Sequence, residues 1–460
     1  MRTRRLSRCG ALCVLVLASC ARTAPSPAPS ASADPCTIAG FHGGRDTVRV
    51  ALRDPVAPAH APGPTNDAER ILFRQLYETL VRVDCVGVIR PGLATRWQSD
   101  GGGTRWTFAL RPGARFWDGT PVDAAALLAS WRDDTTLPLH DVRATGSGTV
   151  VVTLPAPRTI ESFGDAAWGV VKRIPESAWP VGTGAVWLRE WTRSGADSVL
   201  RAQPVPAAPA GTPVLEFRAA LGADPRDLLD GDADVLVARD PAVQRYAAGR
   251  GDWRVVPLPW DRVAVLLSPA RMAPGIATQL ERQDRLALAR DAVRAEARAP
   301  EEPDWWSAGS CGGPPAAAPP SGPFAPRVVF PRDDAVARDL ADRLVARADV
   351  ELAALVGATT PLAPRTAGVD SAAFAAALAA GRDLAFVVAL PSAPPDPCRA
   401  AAALRLRAPW LAGPDGTLPP NALVPLVETR SSLLLRGPVF IQTDRDGGVR
   451  LTPQPDGTAR

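Results

Sequence analysis

Three histidines, His42, His60 and His140, all fall in the first third of this 460-residue chain. A histidine acting as general base would therefore have to meet a nucleophile delivered from far along the sequence. No Gly-x-Ser-x-Gly turn and no His-Glu-x-x-His pair is present, which removes two common hydrolase frameworks. The sole lysine, Lys172, follows no glycine-rich run, so a phosphate-cradling P-loop is excluded. Asp230, Asp232 and Asp234 alternate as in a calcium loop, but the closing glutamate and the remaining spacing are missing, and the stretch reads as a helix-to-strand turn. Glu301 and Glu302 read as solvated loop charge. Paired-carboxylate catalysis rests on a spatial separation that sequence does not carry, so an enzyme of that type stays open as the least favoured reading. No cofactor and no metal site is expected.

The N-terminus does carry chemistry. A basic stretch, Met1 to Arg8, precedes an apolar stretch, Cys9 to Leu17, and small residues before Cys20, which is the pattern of a secretion signal. Leu17-Ala18-Ser19-Cys20 matches a lipobox, in which cleavage before the cysteine leaves a thiol that carries diacylglycerol. Cys20 is therefore the expected lipidation site. Removing residues 1–19 takes away four arginines and no acid, leaving 48 basic and 48 acidic side chains from the original 52 and 48. A neutral mature chain gives no electrostatic case for nucleic acid. No other apolar run reaches the roughly 18 residues that span a bilayer.

Of seven cysteines, Cys9 and Cys13 leave with the signal and Cys20 takes lipid. Cys36, Cys85, Cys311 and Cys398 remain, an even number in an oxidising compartment. Pairing Cys36 with Cys85 and Cys311 with Cys398 keeps each bridge within one half of the chain. Loops of that length would each contribute about 4 kcal/mol in the chain-entropy model.

Behind these residues stand alternating elements. Ala21 to Pro35, rich in Ala, Pro and Ser, reads as a tether. Thr47 to Leu52 alternates as a strand, and Asn66 with Glu69 forms a capping-box pattern ahead of Ile71, Leu72, Leu76 and Leu80. Trp97 to Leu110 reads as a hairpin turning at Asp100 to Gly103, with Trp106, Phe108 and Leu110 on one face. Asp118-Gly119 makes a turn, Thr120 is placed to cap and Pro121 to open a helix over Ala124 to Trp131. Strands follow at Thr149 to Leu154, Val214 to Phe217, Val235 to Val237, Arg254 to Leu258 and Arg262 to Leu267. Helices fit Gln283 to Arg298 and Ala335 to Arg347, separated by a Pro, Ala and Gly linker over 312–326. Asp444 to Gly448 reads as a hairpin turn. The alternation implies α/β units with mixed sheets.

In order and spacing, Leu76-Tyr77-Glu78-Thr79-Leu80-Val81, Pro91-Gly92-Leu93-Ala94, Trp106-Thr107-Phe108-Ala109-Leu110-Arg111, Phe116-Trp117-Asp118-Gly119-Thr120-Pro121 and Pro180-Val181-Gly182-Thr183-Gly184 form a set. This set resembles the family 5 extracellular solute-binding proteins, the dipeptide- and oligopeptide-binding type that serves ABC transporters, here in lipoprotein form. Leu229 to Val235 and Asp396-Pro397 are weaker echoes. The resemblance implies a two-lobed periplasmic-binding-protein-like fold with a small extra subdomain in the first lobe, the lobes being joined by two crossing strands. Expected limits are 1–19 for the signal, 20–44 for the lipidated tether, 45–70, 180–265 and 430–460 for the first lobe, 71–179 for its subdomain, and 266–429 for a shortened second lobe. The implied function is capture of a peptide or small-molecule solute in the inter-lobe cleft and delivery to an ABC permease complex. The protein would be a monomer held by its lipid in the periplasm or on the outer face of the cell membrane. A non-transporting lipoprotein that keeps the fold for sensing or scaffolding is the alternative.

By its position in the resemblance, the cleft should be lined by Phe386, Leu390, Ser392 and Asp396, with Trp305 or Trp306 as an apolar wall or packed beneath the Pro-rich loop. In the peptide binders an aspartate pairs with the ligand's amino group. Here that segment begins with Ala393, which predicts a solute not recognised through an amino-group anchor.

Overall fold

Thr47–Leu52, a run of β-formers with Val48 and Val50 buried, occupies an interior position in a seven-stranded mixed sheet. The order is Arg254–Pro257, Ser432–Leu435, Val235–Ala238, Thr47–Leu52, Val214–Ala219, Asp197–Pro204, Val186–Ser194. In this computed structural model the described residues are 34–39, 46–132, 137, 139–194, 197–269, 281–292, 296–300, 305–307, 311, 325–356, 365–411, 422–437 and 439–453. The signal, Cys20, the body of the tether, Glu301, Glu302 and most of the 312–326 linker lie outside them. No described helix is long and apolar enough to cross a membrane.

The helix Asp67–Leu76 packs Ile71, Leu72, Phe73 and Leu76 into the core of that sheet, so it belongs with the first lobe although its later residues were expected in the subdomain. A separate core begins at Leu80 and gathers around a four-stranded sheet ordered Ala94–Ser99, Arg105–Leu110, Thr149–Thr153, Asp141–Ala144. Trp106, Phe108 and Leu110 share its buried face, as their alternation requires. This is the small subdomain.

The second lobe is a six-stranded mixed sheet ordered Ala297–Arg298, Leu423–Thr429, Arg262–Leu267, Asp383–Pro391, Ala325–Pro331, Arg365–Val369. Ala337, Leu340 and Leu344 of the helix Ala335–Val356 cover one face. Phe374, Leu378, Leu404 and Trp410 cover the other. The strand Arg262–Leu267 lies wholly in this sheet, so the second lobe starts four residues before the expected limit.

The lobes are joined by two segments that run side by side. Pro257 pairs with Ser432 in one sheet and Arg262 with Thr429 in the other. Between them, Leu258 N donates to Ser431 O at 2.9 Å. The result is an antiparallel ribbon leading from one sheet into the next.

Several local expectations change. The helix Ala124–Arg132 is capped by Asp123, whose Oδ1 accepts from Ala126 N at 2.9 Å, and not by Thr120. The reason is that the Asp118-Gly119 turn continues into bridging at Arg115 and Pro121, which keeps the chain extended past Pro121. The helix expected through Arg298 is observed as Arg282–Ala292, and Ala297–Arg298 pairs as an edge strand with Leu423–Thr429. Two disulfides form with the expected pairing. Cys36–Cys85 fastens the first described strand to the subdomain's entry, and Cys311–Cys398 fastens the helix Pro397–Arg407.

The glycine-rich motif is structural. A Cβ at Gly182 would lie 2.1 Å from Leu76 O, and one at Gly184 would lie 2.1 Å from Gln75 O. Any side chain there would push the segment off the end of the helix it closes, breaking the 2.9 Å bond from Gly184 N to Leu76 O.

Candidate functional site

A cavity of about 900 Å³ opens between the loop 59–65, the helix Ala124–Arg132, the segment 167–173 and Arg399 of the second lobe. Its loop wall is built by one buried carboxylate. Asn66 caps the helix Asp67–Leu76 by accepting from Glu69 N at 2.9 Å, as the sequence pattern requires. Glu69 does not complete a capping box, however. Its Oε1 accepts from Ala57 N at 2.9 Å and lies 2.7 Å from His60 Nδ1, while Oε2 accepts from Thr65 N at 2.9 Å and Thr65 Oγ at 2.8 Å. A fully buried carboxylate with four partners pins the loop at three points, which is the satisfied arrangement that buried charge demands.

The other walls come from the subdomain and the second lobe. Ala125, Ala126 and Ala129 present small side chains, and Trp131 and Val171 add apolar surface. Lys172 is held by Asp118 at 2.7 Å, and Arg173 Nη2 donates to Ala61 O at 2.9 Å. Arg399 reaches in from the helix Pro397–Arg407 and pairs with Asp165 of the subdomain at 3.0 Å.

Beside this cavity the lobes touch through a buried ion pair. Asp396 has no solvent exposure, and its Oδ1 accepts from Arg158 Nη1 at 2.6 Å. The same oxygen caps its own helix by accepting from Arg399 N at 2.9 Å, with Pro397 at the first helical position. Oδ2 has no hydrogen-bond partner among the described residues. Burial pushes the Asp396 carboxyl above the usual carboxylate range, and the Arg399 amide and the Arg158 guanidinium only partly oppose it. Arg158 keeps 8% side-chain exposure, so both charges are withdrawn from water. These two bridges beside the cavity have opposite polarity: the second lobe supplies the acid in one and the base in the other.

A third charged cluster sits at the connecting ribbon. Arg239 forks onto Asp261 at 2.9 and 2.6 Å. Asp67 faces Arg262 at 2.7 Å, Arg70 at 3.3 Å and Arg239 at 3.7 Å. Burial opposes ionisation of Asp67, but Arg262, Arg70 and Arg239 outweigh it and hold the carboxyl well below its ordinary range. Trp260 lies between the guanidinium groups of Arg298 and Arg430, each 4.6 Å from its ring centre.

Of the residues expected to line the cleft, Phe386 and Leu390 do not. They are 0% and 3% exposed in the second lobe's core, because Asp383–Pro391 is an interior strand covered on both faces. Trp306 also packs in that core, and Trp305 is half-buried with its Nε1 donating to Pro391 O at 2.8 Å. Ser392 sits at the ribbon, its N donating to Asp261 O at 2.8 Å and its hydroxyl to Glu428. Asp396 stands at the lobe contact. None of the six lines the large cavity. Sequence reasoning missed Glu69, Arg158, Lys172, Arg173 and Arg399 as members of the site. The signals were thin: Lys172 is the only lysine, and Arg399 follows Asp396-Pro397 by two residues. No group of three or more metal-ligating side chains occurs among the described residues.

Two lobes on mixed sheets are joined by a two-segment ribbon, and the cavity between the loop 59–65 and the subdomain is met from the second lobe by Arg399. This is the two-lobed architecture of solved periplasmic binding proteins. Residues 88–194 match the model of the bacterial extracellular solute-binding proteins, family 5 Middle. The chain is 44% identical over 61 residues to the periplasmic murein peptide-binding protein MppA of Escherichia coli, covering 13% of this chain and 11% of that protein. It is 33% identical over 129 residues to the periplasmic oligopeptide-binding protein OppA of Salmonella typhimurium, covering 28% and 22%. The matched stretches thus span under a quarter of either curated relative. Across the fold, a dipeptide-binding protein from Pseudoalteromonas sp. SM9913 in complex with Met-Leu superposes with a TM-score of 0.63 at 14% identity, covering 89% of this chain and all of that one. The family resemblance read from the motifs therefore holds over residues 88–194, which match the family 5 model, and the chain shares its fold with solved peptide-binding proteins.

Proposed function

We propose that this protein captures a peptide or peptide-like solute between its lobes and hands it to an ABC permease, while lipid on Cys20 keeps it at the membrane. The observation that carries the reading is the ribbon-joined pair of lobes meeting at Asp396 and Arg158 beside a cavity of about 900 Å³. Closure of two lobes about such a joint is the working motion of periplasmic binding proteins. The cavity falls in the size range of small-molecule sites, with apolar walls and a few polar groups.

The solute is not anchored by a free amino group. Ala393 supplies no charge, and the carboxylate three residues later is already paired with Arg158 and spent on its own helix. A ligand ammonium would have to displace that guanidinium from a buried site. Isothermal titration against dipeptides and oligopeptides with free and acetylated amino termini tests this. Binding indifferent to acetylation is expected, and tight binding that acetylation abolishes would overturn it. Retention of the fold for sensing or scaffolding is the second reading, favoured by the lobes already being joined by a buried ion pair within the chain itself. Capture of the permease by the immobilised protein would remove it.

A further inference from the structure

Resting on the solute-binding reading, the charges around the cavity narrow the solute's chemistry. His60, Lys172, Arg173 and Arg399 line it, and among the described residues no aspartate or glutamate does. Lys172 and Arg399 have carboxylate partners that do not line the cavity, Asp118 and Asp165, and His60 Nδ1 lies 2.7 Å from Glu69. In both ion pairs the base lines the cavity and the acid does not. Arg173 donates only to a backbone carbonyl, Ala61 O, and has no carboxylate partner among the described residues. A ligand ammonium would therefore meet Lys172, Arg173 and Arg399 and, among the described residues, no acid, since Asp396 is paired with Arg158. An anion would meet the Arg173 guanidinium, which has no carboxylate partner among the described residues, and the paired cations Lys172 and Arg399. The rest of the wall, with Ala125, Ala126, Ala129, Trp131 and Val171, suits an apolar body.

We propose that the cavity selects a carboxylate-bearing solute with an apolar body and no free ammonium, and that Arg173 and Lys172 receive the carboxylate. Charge-assisted hydrogen bonds in such a site are individually worth roughly tenfold to a hundredfold in affinity.

The test is isothermal titration of the purified full chain with three probes: N-acetyl-trialanine, its C-terminal amide, and trialanine amide. The acid should bind and both amides should bind at least tenfold more weakly, a factor of about 1.4 kcal/mol or more. Arg173→Gln, which keeps a donor for Ala61 O but removes the charge, should lower affinity for the acid about tenfold or more, with an unchanged melting temperature. Equal binding of acid and amide, or an unchanged affinity in the variant, overturns the anion assignment while solute capture stands. Should none of the probes bind, native mass spectrometry of protein purified from its source decides. A retained anion supports the assignment, and a retained cationic or neutral molecule overturns it alone. An empty cavity overturns the solute-capture reading together with the assignment.

Discussion

Replacing Arg158 by Ala removes one partner of the buried contact between the lobes and leaves Asp396 with no solvent exposure and no guanidinium. Truncating one side of a buried pair costs about 3 to 5 kcal/mol, because the remaining charge is neither paired nor hydrated. The closed arrangement bears that cost, and parting the lobes lets water reach the carboxylate. The closed-to-open equilibrium should therefore move toward open by a factor of about 100 or more. Small-angle scattering should show a larger radius of gyration at pH 7 for Arg158→Ala. The effect should shrink in acid: burial already raises the Asp396 carboxyl, loss of Arg158 raises it further, and protonation removes the unpaired charge as pH falls through that raised value. The double variant Arg158→Leu with Asp396→Asn should close again, since a buried pair replaced by uncharged groups is often neutral in stability. Identical scattering and an identical urea midpoint for Arg158→Ala and wild type would refute the reasoning.

Other outcomes follow from the same structure. Asp67→Asn should cost about 1 to 3 kcal/mol near neutral pH, by loss of charge-assisted bonds to Arg262, Arg70 and Arg239. Because its folded carboxyl is held low, that contribution is present above about pH 4 and is lost as pH falls further, so urea midpoints of variant and wild type should converge in acid. Cys20→Ser should move the protein from the membrane to the soluble fraction and abolish a lipid mass increment; a variant that stays with membranes refutes the anchor. Replacing both Cys311 and Cys398 by Ala opens a loop of 87 residues and should lower stability by about 4 kcal/mol in equilibrium unfolding.

Much of the fold was legible because its signals are local. Alternation in Thr47–Leu52 and Arg105–Leu110, the Asn66 cap and the ordered family motifs each report on a few neighbouring residues. The site was far less legible. Phe386 and Leu390 look like cleft residues by position, but strand parity does not say that both faces of Asp383–Pro391 are covered, and that depends on helices packed from elsewhere. Asp396 and Arg158 are 238 positions apart, and in a chain with 52 basic residues, nearly all arginine, no local pattern marks Arg158 as the partner. Glu69 shows the same limit from the other side. Its spacing from Asn66 fits a capping box, yet its carboxylate is drawn to the loop 57–65 because burial there leaves amides that need an acceptor.

The ribbon between the lobes also sets how they can move. Two strands cross side by side and are tied to each other by backbone hydrogen bonds on the way. Such a strip behaves like a leaf spring, compliant to flexing and twisting out of its own plane and stiff to sliding within it. One lobe should thus swing and twist on the other without the two connecting strands sliding past each other. Arg158 and Asp396 would then leave and regain each other with the register of the ribbon kept.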